Sequence, residues 1–282
     1  MMARLDVKKT HKLYINGEFP RSESGRTFAA VDADGNVIAR MSEGSRKDLR
    51  DAVRAARGAH EKWAGRTGYN RGQILYRIAE MLEDRGEAFS DDLRAAGASK
   101  RAAEKEVEAS IDRLVWYAGW CDKFIQIYGN LNPVAGPFFN ISTPESTGVV
   151  GVVAPPEPAL LGLVSRLAPV LVPGNTAVVI ASDRSPVVAV TFAEALATSD
   201  VPAGVVNILT GHAAELTPWL ASHMDVNALD LTGAPEDLVV AAEIAAADNV
   251  KRVVRSELVD AQSPLLIAAF TETKTVWHPK GL

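Results

Sequence analysis

Residues 148–158 read GVVGVVAPPEP, an uncharged Val-rich run followed by a turn that holds Pro155, Pro156 and Pro158 with Glu157 among them. A continuous apolar run of this length suits a strand buried on both faces, and such strands belong to parallel sheets covered by helices. The pattern then repeats. Strands are predicted at 148–154, 176–181, 205–209, 226–231 and 251–255, with helices at 158–171, 187–198, 213–222 and 235–247 between them. This alternation predicts an α/β fold, a Rossmann-like parallel sheet flanked by helices.

In such a sheet, ligands sit beyond the carboxyl ends of the strands, and phosphates are held by free backbone amides at helix N-termini. The turn APPEP has too few donors for that task, because its three prolines carry no N–H. Pro158 instead suits the start of a helix, and Glu157 stands where the positive end of the helix dipole stabilises a carboxylate. In ASDRSP, Arg184 could pair with an anion or simply be solvated. The turn LTGAPEDL keeps Gly233 but places Pro235, Glu236 and Asp237 in the first helical turn, so a pyrophosphate there would meet two carboxylates. Neither GxGxxG nor GxxxxGK[ST] occurs in the chain.

Upstream, KLYING and TFAAVDADGNVIARM read as strands, with 32–36 as the turn of a hairpin. From Ser45 the period becomes 3.6, with Ser45 as N-cap and Asp48 at N3. A second helix carries Ile74, Leu75, Ile78 and Leu82, and a third runs from about Lys100 to Ile125, so three helices are expected before the next strands. Trp116 and Trp120 lie opposite the Ile111, Leu114 and Ala118 face of that third helix, which suits either a second covering surface or a core helix between two layers. The Gly, Pro and Asn-rich stretch 129–147 reads as loop and edge strand, and residues 261–282 revert to strand character. The expected organisation is 1–128 (hairpin and helices), 129–147 (edge strand), 148–260 (Rossmann-like domain) and 261–282 (terminal strand).

Composition narrows the function. The charge of -5, from 35 acidic and 30 basic residues spread along the chain, offers no basic run for nucleic acid. No apolar stretch is long enough to span a membrane, and the first residues lack the apolar core of a signal peptide, so a cytoplasmic protein is expected. The single cysteine, Cys121, and five scattered histidines predict no disulfide framework and no metal site. The initial Met and the closing KGL lead to the expectation of a complete chain.

Over nearly its whole length the chain resembles the NAD(P)-dependent aldehyde dehydrogenase superfamily. The resemblance rests on LYINGEF, GVVGVVAP, LAPVLVPGNTAVVI, DVPAGVVNILTG, LDLTG and FTETKTVWHP, and LAPVLVPGNTAVVI followed by VPAGVVNILTG at this spacing is a specific signal. It implies that the first hairpin, the edge strand before GVVGVV and the final strand form a small β oligomerisation element, while the alternating block corresponds to the cofactor domain. It also implies that a catalytic domain is missing between KRVVR and PLLIAAFTETKTVW, and with it the nucleophilic cysteine and the general-base glutamate. Cys121, on the flank of a helix with no partner base suggested, is not expected to substitute.

The cofactor block departs from the family patterns as well. Against PWNFP the chain has Pro155, Pro156, Glu157, Pro158 and Ala159, so Glu157 replaces the Asn that helps hold the aldehyde oxyanion, and a carboxylate there would oppose developing negative charge. Against KPSE it has Ala181, Ser182, Asp183 and Arg184. Against FTGSxxxG it keeps Thr232 and Gly233 but has Ala234 and Leu238. Pro155, Ala181, Arg184, Thr232 and Gly233 thus mark a vestigial cleft, and Glu157 a degenerate catalytic position. Glu257, near the place of the family's ELGGK motif, is given no role. The expectation is a non-catalytic aldehyde dehydrogenase-like protein, binding no cofactor and acting as an interaction or accessory subunit. Its partner would be a second copy or a full-length aldehyde dehydrogenase, reached through the edge of strand Phe270 to Trp277. The resemblance leaves two alternatives: an NAD-dependent aldehyde dehydrogenase with residual or partner-dependent activity, and a module sensing some other anion through Arg184.

Overall fold

A computed structural model describes residues 8–256 and 261–281; Glu257 lies outside them. The central sheet is parallel and has the order β10–β9–β6–β7–β8. Its strands are β6 (Val149–Val153), β7 (Thr176–Ile180), β8 (Val206–Leu209), β9 (Ala228–Asp230) and β10 (Arg252–Val254). The intervening helices are α6 (Ala159–Leu171), α7 (Pro186–Leu196), α8 (Ala213–Ser222) and α9 (Glu236–Ala247). Every residue of β6 and β7 is buried, as apolar runs covered on both faces require. A Cβ at Gly151 would stand 2.7 Å from the Leu220 side chain, so β6 needs glycine there for α8 to lie against it.

Ahead of the sheet come β1 (Thr10–His11), β2 (Thr27–Val31), β3 (Val37–Ser42) and five helices: α1 (Arg46–Ala64), α2 (Gly68–Asp84), α3 (Gly86–Ala95), α4 (Lys100–Ala118) and α5 (Phe124–Tyr128). The capping box read from the sequence starts α1: the Ser45 hydroxyl accepts from the Lys47 and Asp48 N–H groups, and the Asp48 carboxylate accepts the Ser45 N–H at 2.9 Å. Five helices stand where three were expected. The long third helix stops at Ala118, because Gly119 opens a turn that packs Cys121 against Gly68 and Gly72. Trp116 meets Tyr117 edge-on and tilts against Trp120, both tryptophans half-buried against the main core.

The third sheet has the order β11–β5–β4, from β4 (Asn130–Asn132), β5 (Phe138–Ser146) and β11 (Thr271–Pro279), with the short α10 (Pro264–Ala268) just before β11. The edge segment and the terminal strand therefore pair, antiparallel, from Thr271 opposite Ser146 to Pro279 opposite Phe138. The N-terminal hairpin, expected in the same β element, lies elsewhere: β1, β3 and β2 form a sheet of their own. Ala30, Ala39 and Met41 pack on Val190 of α7, and the Thr210 hydroxyl donates to the Ser42 carbonyl at 2.6 Å. Those contacts weld the hairpin to the flank of the parallel sheet. Among the described residues no helix is long and apolar enough to cross a membrane.

Candidate functional site

β7 and β8 extend the sheet to one side of β6, whereas β9 and β10 extend it to the other, so the strand order reverses between β6 and β9. In open α/β sheets the crevice beyond such a reversal is the favoured ligand site. A cleft of about 560 Å³ lies there, lined by Ala154, Pro156, Ala181, Arg184, Thr232 and Gly233 among others. Four of the sequence-predicted positions therefore share one cavity.

Pro155 and Glu157 do not line it. Pro155 is buried under the turn, close to Gly162 and Gly233. Glu157 is exposed and borders a neighbouring hollow with Glu106, Pro158 and Ser185, reaching back to Arg184 at 3.9 Å. With both side chains mostly in solvent, that ion pair adds little stability.

Gly233 has a packing reason to be glycine, independent of any ligand. A Cβ there would lie 2.3 Å from the Ala154 carbonyl carbon, and the Gly233 N–H donates to the Val153 carbonyl at 3.2 Å. Thr232 is also engaged in the fold. Its N–H donates to Asp230 Oδ1 at 3.0 Å, and its hydroxyl accepts from the Ser256 N–H at 3.1 Å. Asp230 Oδ2 in turn accepts from Arg166 Nε at 2.7 Å, with the positively charged Nη2 2.6 Å from the same oxygen, both side chains being fully buried. A buried pair of this kind is costly to break, because either partner alone is an uncompensated charge in the core.

The rim is rich in charge. His212 Nδ1 stands 3.5 Å from Asp183 Oδ2, with its ring tilted against Phe28 of the hairpin. At the start of α9, Pro235 is the N-cap and Glu236 and Asp237 occupy the first turn, Glu236 paired with Arg255 at 2.8 Å. The dipole's favourable end is thus filled by the chain's own carboxylates.

The start of α6 is filled in the same way by a residue that sequence reading missed. Glu106 of α4 accepts the Leu160 and Leu161 N–H groups through one oxygen, at 2.7 and 3.2 Å. This cap comes from a distant helix, and the signal for it was a carboxylate on the face of α4 that also carries Ala103, Ser110 and Tyr117. Arg113, on the same face, was missed too: it holds the Ser165 hydroxyl, the Gln262 side chain at 2.9 Å and the Ala261 carbonyl at 3.2 Å.

Cys121 is 3% exposed, with its Sγ–H directed at the Tyr117 carbonyl. Burial pushes its thiol up to about 12, against a smaller opposing effect of Arg71, so it holds no thiolate at neutral pH. Among the described residues no three His, Cys, Asp or Glu side chains are grouped to hold a metal ion.

The sequence profile of the aldehyde dehydrogenase family matches residues 20–276. The chain is 32% identical over 272 residues to the aldehyde dehydrogenase, cytosolic 1 of Elephantulus edwardii, covering 94% of this chain and 53% of that one. It is 34% identical over 272 residues to the cytosolic 10-formyltetrahydrofolate dehydrogenase of Xenopus tropicalis, covering 93% of this chain and 30% of that one. Among solved structures, the NAD+ complex of an aldehyde dehydrogenase from Bacillus cereus superposes with a TM-score of 0.81 at 26% identity, over 86% of this chain and 50% of that one. HpcC from Thermus thermophilus gives 0.82 at 28% identity, over 87% and 48%. The chain spans about half the length of these relatives or less. The switch-point cleft, the retained β-α order and a profile match over most of the sequence lead to one conclusion: the chain belongs to the aldehyde dehydrogenase family.

Proposed function

We propose that the chain is a non-catalytic member of this family, acting as an interaction or accessory subunit in an oligomer. Its partner is a second copy or a full-length aldehyde dehydrogenase, engaged through the strand 270–277 and the sheet it completes. One observation carries this reading: Leu131, Ile141 and Val276 stand in register across β4, β5 and β11, and are 66%, 42% and 51% exposed. An apolar row on an open three-stranded sheet, with β11 as a free edge, calls for a covering surface. Loss of catalysis is supported by the unreactive setting of Cys121, by Glu157 in the turn after β6, and by residues 255–263, the short link from β10 to α10 where the family resemblance implies a catalytic domain.

A second reading, NAD-dependent aldehyde oxidation with residual or partner-dependent activity, is favoured by the likeness to the Bacillus cereus enzyme in its NAD+ complex. The cleft fits a pyrophosphate poorly, because the turn after β6 offers prolines for donors and α9 begins with Glu236 and Asp237.

Native mass spectrometry of the purified chain, alone and mixed with a full-length family member, tests the assembly. A complex in either sample is expected, and loss of it in Ile141→Glu. A monomer in both samples at micromolar concentration overturns the proposal. NAD titration separates the two readings: no saturable binding below about 1 mM is expected, whereas saturation accompanied by NADH formation from simple aldehydes would establish the second.

A further inference from the structure

Helix α8 walls two cavities. Its first residues, Ala213 and Ala214, line the cleft, whereas Glu215, Trp219 and Ser222 line a second and larger space of about 820 Å³. The other wall is the first turn of α1 together with the 23–26 loop. Nothing in the aldehyde dehydrogenase reading uses this space.

Its lining carries four cations, Arg26, Arg46, Lys47 and Arg50, against two carboxylates, Glu23 and Glu215, in a chain whose net charge is -5. Three of the cations are satisfied by neighbours. Arg26 pairs with Glu215 at 2.8 Å and with Glu43 at 3.3 Å, Lys47 pairs with Glu23 at 3.3 Å, and Arg50 with Asp51 at 3.0 Å. Arg46 differs. Among the described residues it has no carboxylate or hydrogen-bond partner, and its guanidinium carbon lies 4.0 Å over the Trp219 ring. The ring attracts the guanidinium as a cation without using its N–H groups as hydrogen-bond donors to the protein, so those donors remain for a ligand. The α1 N-terminus adds favourable potential for an anion, but Ser45 already takes its Lys47 and Asp48 N–H groups, so the cation left to meet a ligand without first giving up a protein partner is Arg46. Beside them the cavity presents apolar surface from Trp219, 39% exposed, and Met224, 65% exposed.

We infer that this cavity binds a small organic anion with a flat apolar body. The anionic group lies in the plane of the Arg46 guanidinium, and the apolar body lies against Trp219 and Met224. The site is independent of the cleft and of the oligomer proposed above.

The test uses two dyes of one shape, titrated into the whole chain. 8-Anilinonaphthalene-1-sulfonate carries the anion; N-phenyl-1-naphthylamine has the same body without it. The sulfonate is expected to bind one per chain, with energy transfer from tryptophan, and about tenfold more tightly than the neutral dye, the scale of one charge-assisted hydrogen bond. Arg46→Gln should weaken the sulfonate about tenfold and leave the neutral dye unchanged, while Trp219→Ala weakens both. Failure of the sulfonate to saturate below about 1 mM, equal affinities for the two dyes, or indifference of the sulfonate to Arg46→Gln would overturn the assignment. The dye comparison on the unaltered chain does not depend on how any variant folds.

Discussion

β6 and β11 are both regular strands, yet they are completed in opposite ways. β6 is buried at every position and paired on both edges, with β7 and β9. β11 is buried only at Thr271, pairs on one edge with β5, and has no strand on its other edge among the described residues. Its sheet is also inverted in character. Asn140 and Ser142 are buried and hydrogen-bonded to Asn132, while Ile141 between them is exposed. The parallel sheet takes its stability from its own chain, whereas the outer sheet is finished by whatever covers it.

Four changes would break or sharpen that contrast. The largest effect is expected in the interior: Asp230→Ala leaves Arg166 charged and buried without a partner, and should cost about 3–5 kcal/mol by urea unfolding. If that loss is below about 1 kcal/mol, the buried ion pair is not what fixes β9 to α6. Next is Cys121, whose thiol is raised from 9.0 to about 12 by burial. A group that binds its proton more tightly when folded stabilises the fold below its unfolded value, and that stability is lost as pH rises through the folded one. Unfolding free energy should therefore fall by roughly 2 kcal/mol between pH 9 and 11 from this group. Cys121→Ala should flatten that slope; an unchanged slope would mean that other groups set it. Glu106→Ala removes a cap from two amides of α6 and should cost about 1 kcal/mol, read as a lower urea midpoint at unchanged m-value. The smallest effect on stability belongs to the outer sheet. Val276→Thr should shift unfolding by no more than about 0.5 kcal/mol while weakening any oligomer seen by native mass spectrometry. A large stability loss in the isolated chain would show that β11 is anchored from within.

The same contrast explains what could be read from the sequence. The β-α alternation from 148 onward matches the structure to within a few residues, because a strand buried on both faces must be apolar throughout and its neighbours must be helices. The three-sheet arrangement was harder to read. Pairing of β11 with β5 joins residues more than a hundred positions apart, and no local pattern showed that the hairpin would settle on α7 instead. α3 went unseen because it starts at Gly86 directly after α2, with only Phe89 and Leu93 buried to mark a period. At the cleft, Arg184 and Gly233 were legible from the turns at strand ends and Ala181 and Thr232 from the family resemblance, and the strand order brings all four to one cavity. Glu106 was not, since its partners Leu160 and Leu161 lie on another helix, and its place on the inward face of α4 does not say which amides it meets.

The root of β11 is where the two sheets meet. The Phe270 carbonyl accepts from Asn175 Nδ2 at 2.9 Å and from the Thr147 N–H at 3.3 Å, and Asn175 Oδ1 accepts the Gly148 N–H at 2.8 Å, just before β6. Mechanically this is a rivet. Tension on β11 along its length is carried in shear by its pairing with β5 and passes along the chain through Thr147 and Gly148 into β6, while the Phe270 carbonyl and the Asn175 amide tie the same point to the start of β7. A partner that tugs on the outer sheet therefore pulls at the base of the parallel strands, at the end opposite the cleft.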